Sequence, residues 1–249
     1  MNIFVVNLDK STQRLSEMSQ RLEQLSLPFT RVSAVYGASL TDDELNLHYS
    51  SALNERVYRR PLSAAEIGCY LSHRNTWQTI VDGNLSMALI LEDDAELGAQ
   101  LPAALAVIEN LERPWDLIKL YEPQIKKPLA RSIPLNQDFS LCQYKKIPST
   151  STGYMVSLAG ASKLLGAREM FGRPVDDDIQ FYWEYSGEVY GVKPYPIVIA
   201  DSSLESTIGP DGQTRSRKSI IGTMRGPLLR LGYEMLRIYH NFQRPKLKE

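Results

Sequence analysis

Three consecutive acidic residues, Glu92, Asp93 and Asp94, are the strongest candidates for chemistry in this chain. They follow directly after residues 87–91, a continuous apolar run typical of a buried central strand. Ligands of open α/β sheets bind beyond the carboxyl ends of the strands, so these carboxylates are placed to meet a substrate. Crowded carboxylates repel one another unless a cation neutralises them, and their hard oxygens suit Mg²⁺ or Mn²⁺. A solvated acidic turn, or a helix N-cap at either aspartate, accounts for the same residues.

Two further candidates, Glu66 and His73, lie on one predicted helix that runs to about residue 81. They are seven residues apart and therefore share a face of that helix. Ser63 and Glu66 have the spacing of a capping box, and Leu62 and Ile67 that of a hydrophobic staple. Glu66 is thus either a capping residue or a site residue. His73 is either a buried hydrogen-bonded residue or a substrate contact, and it is not assigned to a metal.

The elements that position these residues predict an α/β domain. Residues 2–8 are typical of a buried strand, and residues 11–26 of a helix with one apolar face. Further strands are predicted at 29–32, 117–121, 153–157 and 197–200, and a further helix at 159–168. The region from 122 to 151 is rich in Pro, Ser and Lys and is predicted to form loops. Alternation of strands and helices indicates parallel packing.

Composition limits the class of protein. The chain has 249 residues, of which 43% are hydrophobic, enough for one sizeable domain with a short appendage. Cys69 and Cys142 are too few for a disulfide framework and are interpreted as reduced thiols, Cys69 as a small packed residue. No apolar run reaches the roughly 18 residues of a membrane-spanning helix, and Met1 leads directly into a strand. A cytoplasmic location is therefore expected.

Six short motifs occur in order along the chain. The most specific are the segment from Leu62 to Cys69 with Ser72-His73, and the segment from Ile90 to Asp94. The others are Asn7-Leu8-Asp9 with Arg14, Ala34-Val35-Tyr36-Gly37, Thr152-Gly153-Tyr154 and Pro174-Val175-Asp176. Together they resemble the family 25 glycosyltransferases of lipooligosaccharide biosynthesis, over roughly residues 2–208. Ala65 stands where that family commonly has glycine, a change that the first turn of a helix tolerates well.

The resemblance implies a GT-A-like domain that binds a nucleotide-diphosphate sugar and transfers galactose from UDP-galactose. Transfer would invert the anomeric centre and form a β-linkage on a lipooligosaccharide or lipopolysaccharide core. Asp94 and Glu92 would hold Mn²⁺ or Mg²⁺. The donor-binding residues implied by the motifs are Asn7, Leu8, Arg14, Ala34, Tyr36, Glu92 and Asp93. Arg14 opposes the dipole of its helix unless an anion lies near it, so it either binds the diphosphate or points to solvent.

The acceptor side of such an enzyme requires a general base. Asp176 matches the family position and is the first candidate, and Asp177 is the second. Capping of a helix accounts for at least one acid of this run. The aromatic residues 181–183 follow and are predicted to form a platform on which a sugar stacks. Contacts to the acceptor, or supports for those contacts, are expected from Glu66, His73, Thr152 and Tyr154.

The C-terminal segment has its own charge and pattern. Residues 212–249 contain nine Lys/Arg and two Asp/Glu, a net charge of +7, against −8 for the rest of the chain. We therefore divide the chain into a glycosyltransferase domain, 1–211, and a basic amphipathic helical tail, 212–249. The predicted apolar stripe consists of Ile221, Met224, Leu228, Leu231, Met235, Ile238 and Phe242. Either it lies on an anionic inner-membrane surface that presents a lipid-linked acceptor, or it packs on the domain.

Two other classes of function remain open at this stage. A strand followed by paired acids also occurs in metal-dependent phosphoryl-transfer enzymes, although the chain has Glu92 where such phosphatases use an aspartate nucleophile. A catalytically silent membrane-associated scaffold is the third interpretation. Nucleic acid is not expected as a partner, because basic and aromatic residues do not cluster outside the C-terminal segment.

Overall fold

A computed structural model describes residues 1–121, 127–199 and 220–248. The strands are β1 Asn2–Asn7, β2 Thr30–Ser33, β3 Met87–Glu92, β4 Ala95–Leu97, β5 Leu117–Lys119, β6 Leu129–Pro134, β7 Ser140–Tyr144, β8 Gly153–Ser157, β9 Val189–Lys193 and β10 Ile197–Ile199. The α-helices are α1 Thr12–Gln24, α2 Asp42–Asn46, α3 Ser51–Val57, α4 Ala64–Asp82, α5 Leu101–Glu109, α6 Leu158–Ala167, α7 Val175–Asp178 and α8 Ile220–Gln243. Short 3₁₀ turns occupy Gly37–Ser39 and Tyr182–Glu184.

The central sheet is mixed rather than parallel throughout. Its strand order is β2-β1-β3-β8-β5-β9-β7-β6, and β4 pairs with β10 in a separate ribbon. β1 is parallel to both β2 and β3, as the sequence predicts, but β8 lies antiparallel between β3 and β5. β6 and β7 form an antiparallel pair in the region predicted to be loops, which is a correction. β6 is a mostly exposed edge strand, so it has no apolar run that would identify it.

The core lies on both faces of the sheet. Along β3, Ala88 and Ile90 pack into the layer that contains α4 and α6. Leu89 and Leu91 pack into the layer that contains α1 and α5. Side chains of a strand alternate between faces, so a strand covered on both sides has to be apolar at every position. This is why β3 is a continuous apolar run up to Glu92.

Helix α4 packs closely against the turn that follows β2. Its predicted capping box is present: Ser63 accepts a hydrogen bond from the Glu66 backbone N–H, and the Glu66 carboxylate accepts one from the Ser63 N–H. The backbone N–H of Val35 donates to the Ser72 hydroxyl at 2.8 Å. A Cβ atom on Gly68 would lie 2.5 Å from the Val35 carbonyl oxygen, so only glycine permits this approach. The turn and α4 are thereby fixed beside the carboxyl ends of β1 and β3.

Helix α8 lies against the rest of the chain through a polar and aromatic face. Lys146 pairs with Glu234 at 2.8 Å, and the Trp183 ring stacks on His240 with centroids 5.0 Å apart. The large apolar side chains that point away from the body are Leu228, Leu231, Met235, Leu236, Ile238, Tyr239 and Phe242. Packing of this helix through its apolar stripe, one of the two predicted alternatives, is therefore wrong.

Part of the predicted C-terminal segment is not described by the structure. The side chains of Ile221 and Met224, and the predicted domain boundary at 211/212, lie outside the described residues. None of the helices in the described part of the chain has both the length and the hydropathy that crossing a bilayer requires.

Candidate active site

The carboxyl ends of β1 and β3 bring three predicted residues together. The Asn7 side chain is buried and donates to Asp93 Oδ2 at 2.7 Å. The Arg14 guanidinium lies 3.3 Å from Asp93 Oδ1, so both carboxylate oxygens of Asp93 have partners. Arg14 is not free in solvent, because its charge is already opposed by Asp93. About a third of its side chain, 31%, is nevertheless exposed beside the start of α1.

The other predicted donor residues surround this cluster. The Ala34 backbone N–H donates to the Asn7 carbonyl at 2.9 Å and extends the pairing of β1 with β2. Leu8 is partly exposed at the turn into α1, where its carbonyl accepts from the Ser11 N–H. The Tyr36 ring is 49% exposed, with the Lys10 ammonium 4.0 Å from its centroid. An exposed ring at the mouth of a strand-end site is suited to stack on a planar base.

Asp94 differs from Asp93 because one of its carboxylate oxygens has no donor in the described part of the chain. Among the described residues no group donates to its Oδ1, although that atom is buried. Burial, together with the charges of Glu92 and Asp93, raises the pKa of Asp94 to about 6. A buried carboxylate oxygen without a donor is costly, and a bound cation is the usual remedy. The residues present therefore fit the Mn²⁺ or Mg²⁺ that the sequence predicts.

A cavity of about 350 Å³ adjoins this acidic run. Its lining residues are Glu66, Cys69, Glu92, Tyr121, Ser149, Thr150, Ser151, Thr152, Pro174, Val175 and Asp176. The cavity thus joins the end of β3 to the start of α7, which are more than eighty residues apart in the chain. Glu92 and Asp176 line one space, as a donor side and an acceptor side of one site require.

Glu92 is oriented by a chain of hydrogen bonds through the core. The Trp77 indole N–H donates to the Tyr154 hydroxyl at 2.9 Å, and that hydroxyl lies 2.9 Å from His73 Nδ1. His73 Nε2 lies 3.3 Å from Glu92 Oε1. In the neutral tautomer that these contacts favour, Tyr154 donates to Nδ1 and Nε2–H donates to Glu92. His73 and Tyr154 are fully buried, so they support Glu92 rather than contact a substrate.

The ionisation of Glu92 follows from this support. Burial works against the charged form, but hydrogen bonds accepted from His73 and Ser151 outweigh it and lower the pKa of Glu92. The backbone N–H of Glu92 also donates to the Thr152 carbonyl at 3.0 Å. The predicted site residue Thr152 therefore contributes its backbone to β3 and its side chain to the wall of the cavity.

Sequence reasoning missed a buried lysine beside the cavity. Lys119 ends the short strand β5, has no exposed surface, and its ammonium donates to the Thr150 carbonyl. Burial lowers the pKa of Lys119 to about 8, although the charges of Asp176 and Glu92 oppose the shift. No local signal identifies it, because the acids near its ammonium, Asp176 and Glu92, come from distant parts of the chain.

The three acids of α7 have three different surroundings. Asp176 faces the cavity, and burial together with the charge of Asp177 raises its pKa to about 6. Asp177 accepts from the Tyr58 hydroxyl at 3.1 Å and from Gln180 at 2.9 Å. It lines a separate cavity of about 580 Å³ beneath α8 rather than the one that contains Glu92. Asp176, not Asp177, is the acid that the structure brings to the site.

The aromatic residues after α7 also face α8. Phe181 and Tyr182 are buried, and Phe181 makes an edge contact with Tyr233, with ring centroids 4.8 Å apart. Trp183 stacks on His240, as described above. These rings line the cavity beneath α8 and not the one that contains Asp176. The predicted platform therefore does not adjoin the predicted base.

Glu66 lines the cavity but is fully engaged. Its carboxylate accepts two hydrogen bonds from Arg60, each of 2.7 Å, in addition to the capping bond from Ser63. Burial opposes ionisation, but the bonds from Arg60 and Ser63 lower the pKa of Glu66. It is a structural carboxylate at the rim of the site.

Asp178 is buried and holds the carboxyl end of α7. Its Oδ2 accepts from the Tyr70 hydroxyl and from Arg168, each at 2.7 Å, and its Oδ1 accepts from Arg173 at 2.8 Å. Glu184 completes the charge balance by pairing with both arginines. Both carboxylate oxygens of Asp178 are engaged by buried partners, so its role is structural.

We expect Asp178→Ala to lower the free energy of unfolding by about 3–5 kcal/mol, because it leaves two buried arginines short of a partner. Urea unfolding followed by circular dichroism measures the change. Asp43→Ala, at an exposed acid of α2, is the matched control and should change stability by less than about 0.5 kcal/mol. An Asp178→Ala variant as stable as this control would contradict the assignment.

Comparison with known proteins identifies the family of this chain. The profile of Glycosyltransferase family 25 (LPS biosynthesis protein) matches residues 1–179. Procollagen galactosyltransferase 1-B of Xenopus laevis is 32% identical over 191 residues, covering 70% of this chain and 30% of that protein. Procollagen galactosyltransferase 2 of Homo sapiens is 31% identical over 186 residues, covering 70% and 29%. A glycosyltransferase 25 family member of Aedes aegypti is 28% identical over 185 residues, covering 72% and 30%.

The chain spans about 30% of the length of these relatives. The part matched by the family profile contains β1, α4, β3 and the start of α7, and so contains every element that lines the acidic strand end. Because the profile covers 179 of 249 residues, this chain belongs to glycosyltransferase family 25.

Proposed function

We propose that this chain transfers galactose from UDP-galactose, with inversion, to a hydroxyl of a lipooligosaccharide or lipopolysaccharide core. One observation carries the proposal: Glu92, two residues before the unpartnered oxygen of Asp94, and Asp176 line one cavity. Family membership and galactosyltransferase relatives support the reaction class and the sugar. The description of the family supports the acceptor class.

The donor is proposed to bind across the ends of β1 and β3. Arg14 and the free backbone N–H groups at the start of α1 present positive charge to a diphosphate. Asp93 holds Arg14 and Asn7 in place for that contact. The exposed Tyr36 ring is available to stack on the uracil base.

The divalent cation is proposed to be held by Asp94 and Glu92. When bound, Mn²⁺ or Mg²⁺ would neutralise the charge that develops on the departing diphosphate. Glu92 is prepared for this role because His73 fixes the direction of its carboxylate and its lowered pKa keeps it ionised. Asp94 is prepared because its buried oxygen has no competing donor among the described residues.

Asp176 is proposed to be the general base. As the acceptor oxygen attacks the anomeric carbon and the bond to UDP breaks, the hydroxyl proton passes to the Asp176 carboxylate. A pKa of about 6 leaves this carboxylate ionised at neutral pH yet more basic than an exposed aspartate. Lys119 lies near both Asp176 and Glu92, and its positive charge limits the repulsion between them.

Product analysis tests the proposal against its alternatives. The purified chain is incubated with Mn²⁺, a panel of UDP-sugars, and either core oligosaccharide or a collagen peptide. We expect UDP release and a β-galactosylated core oligosaccharide from UDP-galactose alone. Release of inorganic phosphate would favour a phosphoryl-transfer enzyme, and no turnover with any pair would favour a scaffold. Preference for the collagen peptide would move the acceptor to the class named for the relatives.

We further propose that the chain works at the cytoplasmic face of a membrane, with α8 lying on an anionic bilayer. The support is a helix whose polar face is bound to the body while its apolar face is uncovered, Phe242 being 90% exposed. The basic contribution is smaller than the sequence predicts. Arg237 donates to the Lys145 carbonyl and Arg244 pairs with Glu188, so neither is free for lipid. Arg230, Lys246 and Lys248 remain exposed for an anionic surface.

We expect the triple variant Leu231→Ser, Met235→Ser, Phe242→Ser to bind vesicles of phosphatidylglycerol and phosphatidylethanolamine at least about 100-fold more weakly. Burial of each large apolar side chain contributes about 1.5–3 kcal/mol. Sedimentation of protein with vesicles measures the change. The control is Leu47→Ser, because Leu47 directly follows α2 and is 66% exposed; this variant should bind vesicles like the parent chain. Equal sedimentation of the triple variant and the parent would remove α8 from the proposal.

A further inference from the structure

Three potential metal ligands of different chemistry meet on the wall of the cavity. One ligand atom each from Cys69, His73 and Glu92 lies within 4.8 Å of the other two. Cys69 and His73 are four residues apart on α4, so their side chains lie one turn apart on the same face. Glu92 reaches them from the end of β3. The cysteine has no part in the transfer reaction proposed above.

The geometry of this group suits a tetrahedral ion. Nitrogen and oxygen ligands at bonds of about 2.0–2.1 Å to Zn²⁺ are separated by about 3.3–3.4 Å in a tetrahedral site. The distance from His73 Nε2 to Glu92 Oε1 is 3.3 Å. The Cys69 sulfur lies within 4.8 Å of both atoms and would be the third ligand. One sulfur, one imidazole nitrogen and one carboxylate oxygen favour Zn²⁺ over the harder Mn²⁺ and Mg²⁺.

The surroundings are also those of a zinc site with one open position. The Nδ1 atom of His73 is held by the Tyr154 hydroxyl at 2.9 Å, the kind of outer contact that orients a metal-bound histidine. His73 is fully buried, whereas Cys69 and Glu92 line the cavity. A fourth ligand position would therefore open toward the space that receives the substrate.

We propose that Cys69, His73 and Glu92 bind Zn²⁺, and that Zn²⁺ bound there inhibits transfer by occupying Glu92. The inhibitory half rests on the proposed function, because it requires Glu92 to serve the donor. The proposed binding of Zn²⁺ does not depend on that function. On binding, the Cys69 thiol releases its proton to solvent and the His73 proton resides on Nδ1, facing Tyr154. The charges of Zn²⁺, thiolate and carboxylate then sum to zero, which suits a half-buried position.

The binding test uses the full chain after treatment with a chelator, titrated with Co²⁺ as a spectroscopic probe and with Zn²⁺. We expect one Co²⁺ per chain with thiolate-to-metal charge-transfer absorption in the near ultraviolet. Zn²⁺ should displace it. Loss of an outer contact to a ligand typically costs 10–100-fold in affinity, so loss of the ligand itself in Cys69→Ala should cost at least about 100-fold. Cys142→Ala, at the buried cysteine of β7, should retain both the absorption and the affinity.

Two controls keep the variants interpretable. Cys69 is only partly buried, so Cys69→Ala is expected to fold, and its melting temperature in chelator should match the parent. Zn²⁺ at 100 times the parent's dissociation constant should stabilise the parent by about 2.7 kcal/mol and Cys69→Ala by no more than about 0.4 kcal/mol. Co²⁺ bound without charge-transfer absorption, or equal Zn²⁺ affinity in parent and Cys69→Ala, would overturn the site.

The activity test separates this inference from the proposed function. With saturating Mn²⁺, Zn²⁺ should inhibit transfer by the parent and by Cys142→Ala, and Cys69→Ala should need at least about 100-fold more Zn²⁺ for the same inhibition. Inhibition of Cys69→Ala at the parent's concentration would overturn the inhibitory role. Zn²⁺ bound at Cys69 without inhibition would overturn that role and also remove Glu92 from the transfer mechanism. Transfer with no Zn²⁺ binding would overturn the zinc site alone.

Discussion

Asp94→Asn is expected to abolish sugar transfer by this chain while leaving it folded. Asparagine keeps the shape of the side chain but removes the negative charge that an octahedral Mn²⁺ or Mg²⁺ requires from its protein ligand. Turnover of UDP-galactose should fall by at least about 10³-fold, since charge stabilisation at a leaving group is commonly the largest single contribution to catalysis. Initial rates with and without added Mn²⁺ measure the loss.

Stability and metal binding provide the control for this variant. Mn²⁺ with UDP should raise the melting temperature of the parent chain and not that of Asp94→Asn, because only a ligand that binds the native state stabilises it. Asp43→Asn, at the exposed acid of α2, should behave like the parent in both assays. Near-normal turnover of Asp94→Asn, or a parent enzyme indifferent to chelation, would contradict the metal assignment.

Asp176→Asn is expected to lower kcat by about 10²-fold or more and to leave the affinity for the donor unchanged. The same substitution should make the chain more stable at pH 7. In the folded chain the pKa of Asp176 is raised to about 6 from an ordinary value of 3.8, so folding favours the protonated form. The stability contributed by the protonated form is fully present below about pH 3.8 and is lost as the pH rises through about 6, so at pH 7 the native state holds a charge that burial disfavours. Asparagine removes that cost.

Opposite changes in rate and melting temperature distinguish a catalytic acid from a structural one. The value of kcat/KM for the parent should rise as the pH passes through about 6, where Asp176 ionises. Asp177→Asn is the neighbouring control, and it should lose little activity because its carboxylate is engaged by Tyr58 and Gln180. An equal or greater loss in Asp177→Asn would transfer the role of base to that residue.

The sequence predicts the elements around the acidic strand end well because their signals are local. Two patterns can be recognised from neighbouring residues alone. One is a continuous apolar strand that ends in three acids, and the other is the capping box at the start of α4. The elements α4, β3, β8 and α6 accordingly lie within two residues of their predicted bounds. The edge strand β6 was not predicted, because most of its residues are exposed and it has no hydrophobic pattern.

The acceptor side is harder to predict because its signals come from distant parts of the chain. Asp176, Asp177 and Asp178 are chemically identical in the sequence. Only the arginines near Asp178, the tyrosine that follows α3 near Asp177 and the cavity near Asp176 separate their roles. Lys119 joins the site for the same reason. The inward face of α8 is polar and aromatic, so the apolar stripe alone did not decide between the two predicted orientations of this helix.

The anchoring of α7 has a consequence for how the acceptor side is organised. The helix has four residues, so Asp176 lies only two residues from the buried Asp178 and its arginine partners. A chain segment this short has little freedom once one end is fixed, and Asp176 therefore has lost most of its positional entropy before any sugar arrives. Reacting groups held within a fraction of an ångström avoid that loss during the reaction itself. Arg168 and Arg173, by holding Asp178, thus determine where Asp176, the proposed base, presents its carboxylate.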